Sequence, residues 1–292
     1  LVAGDGAVVV PFCASHDRAR ALVTTEIIGM GEHPTDAVRS KRDSSIVQGC
    51  LAVRHGDADG FFSAGSTGAV LTAATLNVGR LRGIKRPAIA FPFPSLSGRR
   101  SIVLDIGANA DCRPEMIVQF AKMGSAYARV IFGTIEPSVA LLSNGTEDAK
   151  GSETVVSFHE ALAESCPTFV GNCEGCDLLK GDYDVIVCDG FTGNVALKSL
   201  EGTAKFLVTR IKEAAASSKR FALGAGLLKP AIKQVASELS SGGTGGAILL
   251  GLKAPVVIGH GATSVDDVRD ATLTTARFVR DGLVAKIADD VA

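Results

Sequence analysis

The chain has no tryptophan and only two tyrosines among its 292 residues, and aromatic side chains make up 5% of it. With so few ring faces, and no aromatic stripe interleaved with Arg or Lys, a base-stacking platform for nucleic acid is excluded. Charge of one sign is equally scarce: 30 basic residues against 31 acidic ones leave a formal net charge of -1. Without a basic field a phosphodiester backbone has nothing to follow, so no nucleic-acid partner is expected. Catalytic signatures are missing as well. There is no G-x-S-x-G elbow, no Walker loop, no G-x-G-x-x-G and no H-E-x-x-H. These absences argue against covalent serine catalysis, P-loop phosphoryl transfer and zincin chemistry.

Long apolar runs are missing too. The nearest approach, residues 244–262, is interrupted by Lys253, Pro255 and His260 and reads as two buried pieces joined by a loop. No basic segment followed by an apolar stretch opens the chain, so no secretory leader is expected and the protein reads as cytoplasmic. Seven cysteines, an odd number scattered through apolar segments, read as reduced thiols. Cys173 and Cys176 have C-x-x-C spacing, but no second ligand pair with zinc spacing follows, so no metal site is expected.

What the chain does have is apolar bulk, 46% of residues against 21% charged, enough for a substantial core. Strand-like runs alternate with helical stretches, the pattern of a mostly parallel sheet covered on both faces in three α/β/α layers. The clearest strands cover 58–63, 101–105, 139–142, 168–170, 184–189 and 254–258, and the clearest helices 46–54, 67–77, 114–132, 158–164, 194–216, 230–239 and 265–287. We expect a single α/β domain over 1–292 with a helical hairpin excursion at about 203–241, whose connecting loop at 219–230 exposes apolar side chains beside basic ones. That hairpin packs on its own core or on a second subunit, or presents Lys219, Arg220, Leu223, Leu227, Lys229 and Lys233 to an acidic partner or an anionic lipid surface.

Four strand ends carry small or polar loops. DVIVCDGFTGNVALKSLEG at 184–202 runs from a strand through a glycine loop into a helix, a geometry that turns backbone amides and the positive helix end toward an anion. The segments 64–69, 106–112 and 259–262 repeat the device, and in an open α/β sheet such loops share one crevice. Groups that hold an anion, with few general bases, suit a nucleophile already ionised at neutral pH. Inorganic phosphate attacking a thioester is one such reaction, since orientation, charge screening and oxyanion donors are all it requires.

The motifs SAGSTGA at 63–69, GIKRPA at 83–88, DIGANADCRPE at 105–115, QFAKMGSAYA at 119–128, FVGNCEG at 169–175, VCDGFTGNVALKSLEG at 187–202, GGAILLGL at 245–252 and IGHG at 258–261 follow one another along nearly the whole chain. Together they resemble the PlsX family of bacterial phosphate acyltransferases. The resemblance implies reversible transfer of a fatty acyl group from acyl carrier protein to inorganic phosphate for phospholipid synthesis, with no cofactor. It also implies a fold similar to isocitrate and isopropylmalate dehydrogenases, a homodimer and peripheral contact with an anionic membrane. Family members open with a strand and a Gly-Gly-Asp loop, which this chain is expected to lack. Ser66 stands where the family usually has Asn, SNGTE at 143–147 replaces an Asn-Ile-Gly-Glu-Glu-like stretch, and SSGG at 240–243 lacks the usual Asp and Tyr.

On this resemblance phosphate is expected at the loops of Gly65, Ser66 and Thr67, of Gly107 and Ala108, and of Thr192 and Gly193, with Lys150 nearby. Lys198 screens the phosphate or the oxyanion, Asn109 and Asn194 donate hydrogen bonds, and Asp189 and His260 orient them. Two rivals remain. A metal- and nicotinamide-dependent decarboxylating dehydrogenase needs an acidic ligand cluster, for which Asp105, Asp111 and Asp189 are the candidates; a non-catalytic carrier-protein or membrane adaptor keeps the fold without turnover.

Overall fold

The structure is a computed structural model and describes residues 1–241, 245–259 and 263–291, with side chains of 233, 234 and 236–241 outside the description. The chain begins with β1 (Val2–Gly4), α1 (Gly6–Ala14) and β2 (Ala21–Val23), and β1 and β2 form a small parallel pair of their own. Then come α2 (Pro34–Ser40), α3 (Ser45–His55), β3 (Phe61–Ser63), α4 (Thr67–Ala73), β4 (Ala88–Pro94), β5 (Arg100–Leu104) and α5 (Pro114–Tyr127). They are followed by β6 (Val139–Leu142), α6 (Glu153–Ser165), β7 (Phe169–Cys173), β8 (Val185–Val187), α7 (Gly190–Ala216) and α8 (Lys219–Ser241). The described chain closes with β9 (Ala247–Leu250), β10 (Val256–Ile258), α9 (Val265–Arg280) and α10 (Leu283–Val291).

Local chemistry sets many of these boundaries. Ser44 and Ser152 cap α3 and α6 by accepting from backbone N–H groups three residues on, and Ser264 and Asp267 form a capping box at α9. Pro114 opens α5, where a missing N–H costs nothing. Gly56 ends α3 in a left-handed conformation.

The main sheet has the order β3-β10-β9-β4-β5-β8-β6-β7. β5, β8, β6 and β7 are mutually parallel and β3 is parallel to β10, while β4 and β9 make the antiparallel joints between these groups. Alternate residues along each strand feed two cores. Val103, Ile89, Phe91 and Val256 face α2, α3 and α4, whereas Ile102, Leu104, Val185 and Val187 face α5, α6, α9 and α10. The α/β/α layering expected from the sequence is therefore present, around a sheet that is mixed at its centre.

The segment 219–230 differs from its expectation. It is not a loop: α8 runs helically from Lys219 through Pro230, and α7 and α8 pack against each other. Pro230 removes a single intrahelical hydrogen bond from a helix whose partner, α7, is 27 residues or about 40 Å long. On the other side of the sheet α5 lies close enough that a Cβ on Gly124 would fall 2.6 Å from Val185 Cγ1 and 3.0 Å from Leu104 Cδ2. Gly124→Val should therefore cost about 1–3 kcal/mol by overpacking. The check is a lower urea midpoint at unchanged slope; an unchanged midpoint would show that α5 does not press on the sheet this closely.

Candidate functional site

The chain leaves β5 into a buried acid. Asp105 has no exposed surface, and its two oxygens accept from five N–H groups. Oδ1 accepts from the backbone of Ile89 at 3.1 Å, Gly107 at 3.1 Å and Ala108 at 2.9 Å; Oδ2 accepts from Asn109 N at 2.7 Å and Asn109 Nδ2 at 2.8 Å. Burial pushes the carboxyl above the ordinary carboxylate range, and the hydrogen bonds from Ala108, the Asn109 side chain, Ile89 and Gly107 oppose that shift. Five donors aimed at two oxygens match the ionised form, which has acceptors for all of them.

This arrangement corrects part of the sequence reading. The amides of Gly107 and Ala108 do not face an incoming phosphate, because Asp105 already holds them. Nor is Asn109 a spare donor: its Nδ2 group donates to Pro87 O at 2.9 Å as well as to Asp105. The loop's polarity is spent on its own shape.

The same loop fixes α7. Gly190 N donates to Asn109 O at 2.7 Å, and a Cβ on Gly193 would lie 2.0 Å from Asp105 O, so only glycine lets the helix start this close to the loop. Asp189 is the N-cap, accepting from Thr192 N at 2.8 Å and Thr192 Oγ1 at 2.9 Å, while Gly193 N bonds to Asp189 O. Here too an internal carboxylate takes the place expected for an external anion. Thr192, Gly193 and Asp189 are thus parts of a helix cap.

Beyond the cap, α7 turns one face to a cleft of about 840 Å³. Asn194, Lys198 and Glu201 lie on successive turns of that face, with Leu197 between them. Lys198 Nζ pairs with Glu201 Oε2 at 2.8 Å and its side chain keeps 56% of its exposure. Opposite lie Gly65, Thr67 and Gly68 at the start of α4, where the Ser66 side chain is buried and makes no capping hydrogen bond. The floor is the sheet itself, Ile89 and Phe91 from β4, Ala247 from β9 and Ile258 from β10, joined by Ile106. Residues of all four glycine-containing strand-end segments, Gly65, Gly107, Gly190 and Gly259, line this one cleft, as their placement in the sequence implied. Lys150 is not among the lining residues; its backbone closes the loop after β6, with Lys150 O accepting from Ser143 Oγ. His260 lies outside the described residues.

No nucleophilic thiol is on offer here. Cys112 sits beneath the Asp105 loop, and burial, with the Asp105 charge second, pushes its thiol up to about 12. Among the described residues no group of three or more His, Cys, Asp or Glu side chains is placed to hold a metal ion. Of the three acids that a decarboxylating dehydrogenase would draw on, Asp105, Asp111 and Asp189, the first and the last are turned onto backbone and side-chain donors of their own loops. No described helix is long and apolar enough to cross a membrane.

Away from the cleft, Phe206, Leu207 and Ile211 of α7 and Phe221, Leu223, Leu227 and Leu228 of α8 are exposed, with Lys219, Arg220 and Lys229 on the same hairpin. The Lys233 side chain lies outside the described ones.

By architecture the chain is an α/β/α protein with the fold of phosphotransacetylases. A phosphotransacetylase from Streptococcus pyogenes superimposes with a TM-score of 0.55 at 18% identity, covering 84% of this chain and 70% of that one. EutD phosphotransacetylase from Staphylococcus aureus gives 0.54 at 19% identity, covering 96% and 86%. Sequence goes further. The family described as "Fatty acid synthesis protein" matches residues 1–286, and the chain belongs to it. A phosphate acyltransferase from Bacillus pumilus is 42% identical over 288 residues, 99% of this chain and 87% of that protein. One from Leuconostoc citreum is 42% identical over 289 residues, 97% and 83%.

Asp105→Asn tests the site's architecture. It puts an NH₂ group among five donors, so at least one backbone N–H loses its acceptor at a cost of about 1–3 kcal/mol. The expected outcome is a lower melting midpoint together with loss of activity; full stability would show that the carboxylate is not the loop's organiser.

Proposed function

We propose that this chain is a phosphate acyltransferase, moving a long-chain fatty acyl group from acyl carrier protein to inorganic phosphate and yielding acyl phosphate for phospholipid synthesis. The observation that carries the reading is the cleft: a polar helix face bearing Asn194 and Lys198 stands over an apolar sheet floor, in a chain of this family. A substrate with one charged end and one hydrocarbon end fits both.

In the reaction a phosphate oxygen attacks the thioester carbonyl carbon, the carbonyl oxygen takes up negative charge, and the C–S bond then breaks to release the carrier thiolate. Phosphate is ionised at neutral pH and needs no base. Lys198 supplies the positive charge that offsets phosphate and oxyanion, and Asn194 donates a hydrogen bond to one of them. Ser66 and Thr67, at the start of α4 where no side chain caps the helix, offer the remaining backbone donors, and Gly65, whose own N–H donates to Ser63 Oγ at 3.2 Å, shapes the turn before them. Asn109, Asp189, Thr192, Gly193, Gly107 and Ala108 act by holding α7 and the 105–109 loop in place. No step calls for a metal or a nicotinamide. The whole chain works as one α/β unit whose α7–α8 hairpin reaches outward, to a second copy in a homodimer and to an anionic membrane surface on which the cytoplasmic enzyme works peripherally.

Incubation with palmitoyl carrier protein should release thiol only when phosphate is added, without metal or nicotinamide. Lys198→Ala should lose at least ~2 kcal/mol of transition-state stabilisation, about thirtyfold in kcat/KM, by analogy with the loss of an oxyanion donor. Release no faster than without protein favours a non-catalytic adaptor, and a metal requirement favours the dehydrogenase.

The membrane role has its own test. Several basic residues near an anionic bilayer contribute about 1 kcal/mol each, and exposed leucines add to this. The protein should sediment with anionic vesicles and poorly with neutral ones, and Leu223→Glu combined with Leu227→Glu should abolish it. If the double variant instead dissociates a dimer, this face is a subunit interface.

A further inference from the structure

The floor of the cleft is uneven, and its relief has a chemical meaning. Three strands lie side by side there, and their registers place three floor residues in one row. Ile258 of β10 pairs directly with Ala247 of β9. Ala90 of β4 pairs with Ile248, the last pair between these strands, which brings Phe91 and Ala247, one residue on in each strand, next to each other. All three belong to the sheet face that carries Ile89 and Val256, and all three line the cleft. Neighbouring strands are about 4.8 Å apart, so the row spans roughly 10 Å with a phenyl ring at one end, a branched aliphatic chain at the other and only a methyl group between them. Phe91 is held in place from the side, its ring meeting that of Phe93, two residues along β4, edge-on at 5.4 Å between centroids. The middle of the row is therefore a notch with fixed walls.

The polar side chains of the cleft stand on its walls: Asn194, Lys198 and Glu201 on α7, Thr67 on α4, and Thr263 and Asp267 by the start of α9, whereas none of the floor residues Ile89, Phe91, Ala247 and Ile258 carries a polar side-chain atom. Gly245 and Gly246, just before β9, also line the cleft and leave the approach to Ala247 free of side chains. A volume of about 840 Å³ is in the range that encloses a small ligand rather than a water cluster.

We propose that the hydrocarbon chain of the substrate lies in the notch above Ala247, between Phe91 and Ile258, and that Ala247 is the residue that sets which chain lengths the cleft admits. The inference rests on the acyltransferase reading and adds to it the seat of the acyl chain. A larger side chain at 247 would level the floor and expel the methylenes that lie deepest. Losing one or two methylene contacts in an apolar pocket is worth about tenfold or more in discrimination.

Calorimetric binding of hexadecylphosphonate and octylphosphonate, which carry a phosphate-like head and cannot transfer an acyl group, tests this without turnover. In Ala247→Leu the preference for the sixteen-carbon over the eight-carbon ligand should fall at least about tenfold. An unchanged preference, or equal weakening of both ligands, would overturn the assignment. Phe91→Leu widens the same notch from its other wall and should shift preference toward longer chains. It decides the matter alone if Ala247→Leu does not fold, and an unaltered chain-length profile would count against the notch. Thiol release by the unsubstituted protein is followed in parallel: absence of phosphate-dependent release defeats the acyltransferase reading, whereas release with an Ala247-independent chain profile defeats only the notch.

Discussion

One buried carboxylate organises the candidate site. Asp105 ends a central strand inside the protein, and an acid without exposed surface is tolerable only where donors surround it. Four come from Gly107, Ala108 and Asn109 just downstream, and one from Ile89 on the neighbouring strand. The loop is thereby wound around its own anion. Because Asn109 O then receives Gly190 N, and Asp105 O touches the position a Gly193 side chain would fill, the start of α7 follows from the loop's shape. Everything α7 presents to the cleft inherits its position from Asp105.

A division of labour results. The carboxylates of Asp105 and Asp189 hold the amides nearest the sheet, and the side chains one and two turns further along α7, Asn194 and Lys198, line the cleft. Placing a cation on a helix that is pinned at its first residue gives it a defined height over the floor, and a preorganised charge does more for a developing oxyanion than a mobile one. The Lys198–Glu201 pair on this face is half-exposed, so its own worth to stability is slight, and its interest lies in the cleft it borders.

Much of this was legible in the sequence. The alternation of strands and helices gave the α/β/α layering, and the four glycine-containing strand ends pointed to the cleft they line. What misled was the shared chemistry of internal and external anions: a strand followed by Gly, Ala and Asn amides looks the same whether its anion is a phosphate or the preceding aspartate. β4 escaped notice because Pro92 and Pro94 argue against a central strand. The structure reconciles them, since β9 pairs only with Ala88 to Ala90 and the prolines lie where β5 alone runs alongside. α8 escaped notice for a similar reason. Pro230 suggested a helix start, yet the helix passes through it, because one missing hydrogen bond is small against the packing of α7 on α8.

The claim at the centre is that phosphate binds beneath α7, between Lys198 and the start of α4. Titration of the isotopically labelled protein with inorganic phosphate, followed by amide chemical shifts, addresses it directly. The account predicts saturable shifts at Gly65, Thr67, Asn194 and Lys198, with those at Asn194 and Lys198 lost in Lys198→Ala. Saturable shifts confined to the loop around Lys150, or no saturable shift at the cleft under conditions that support turnover, would contradict it.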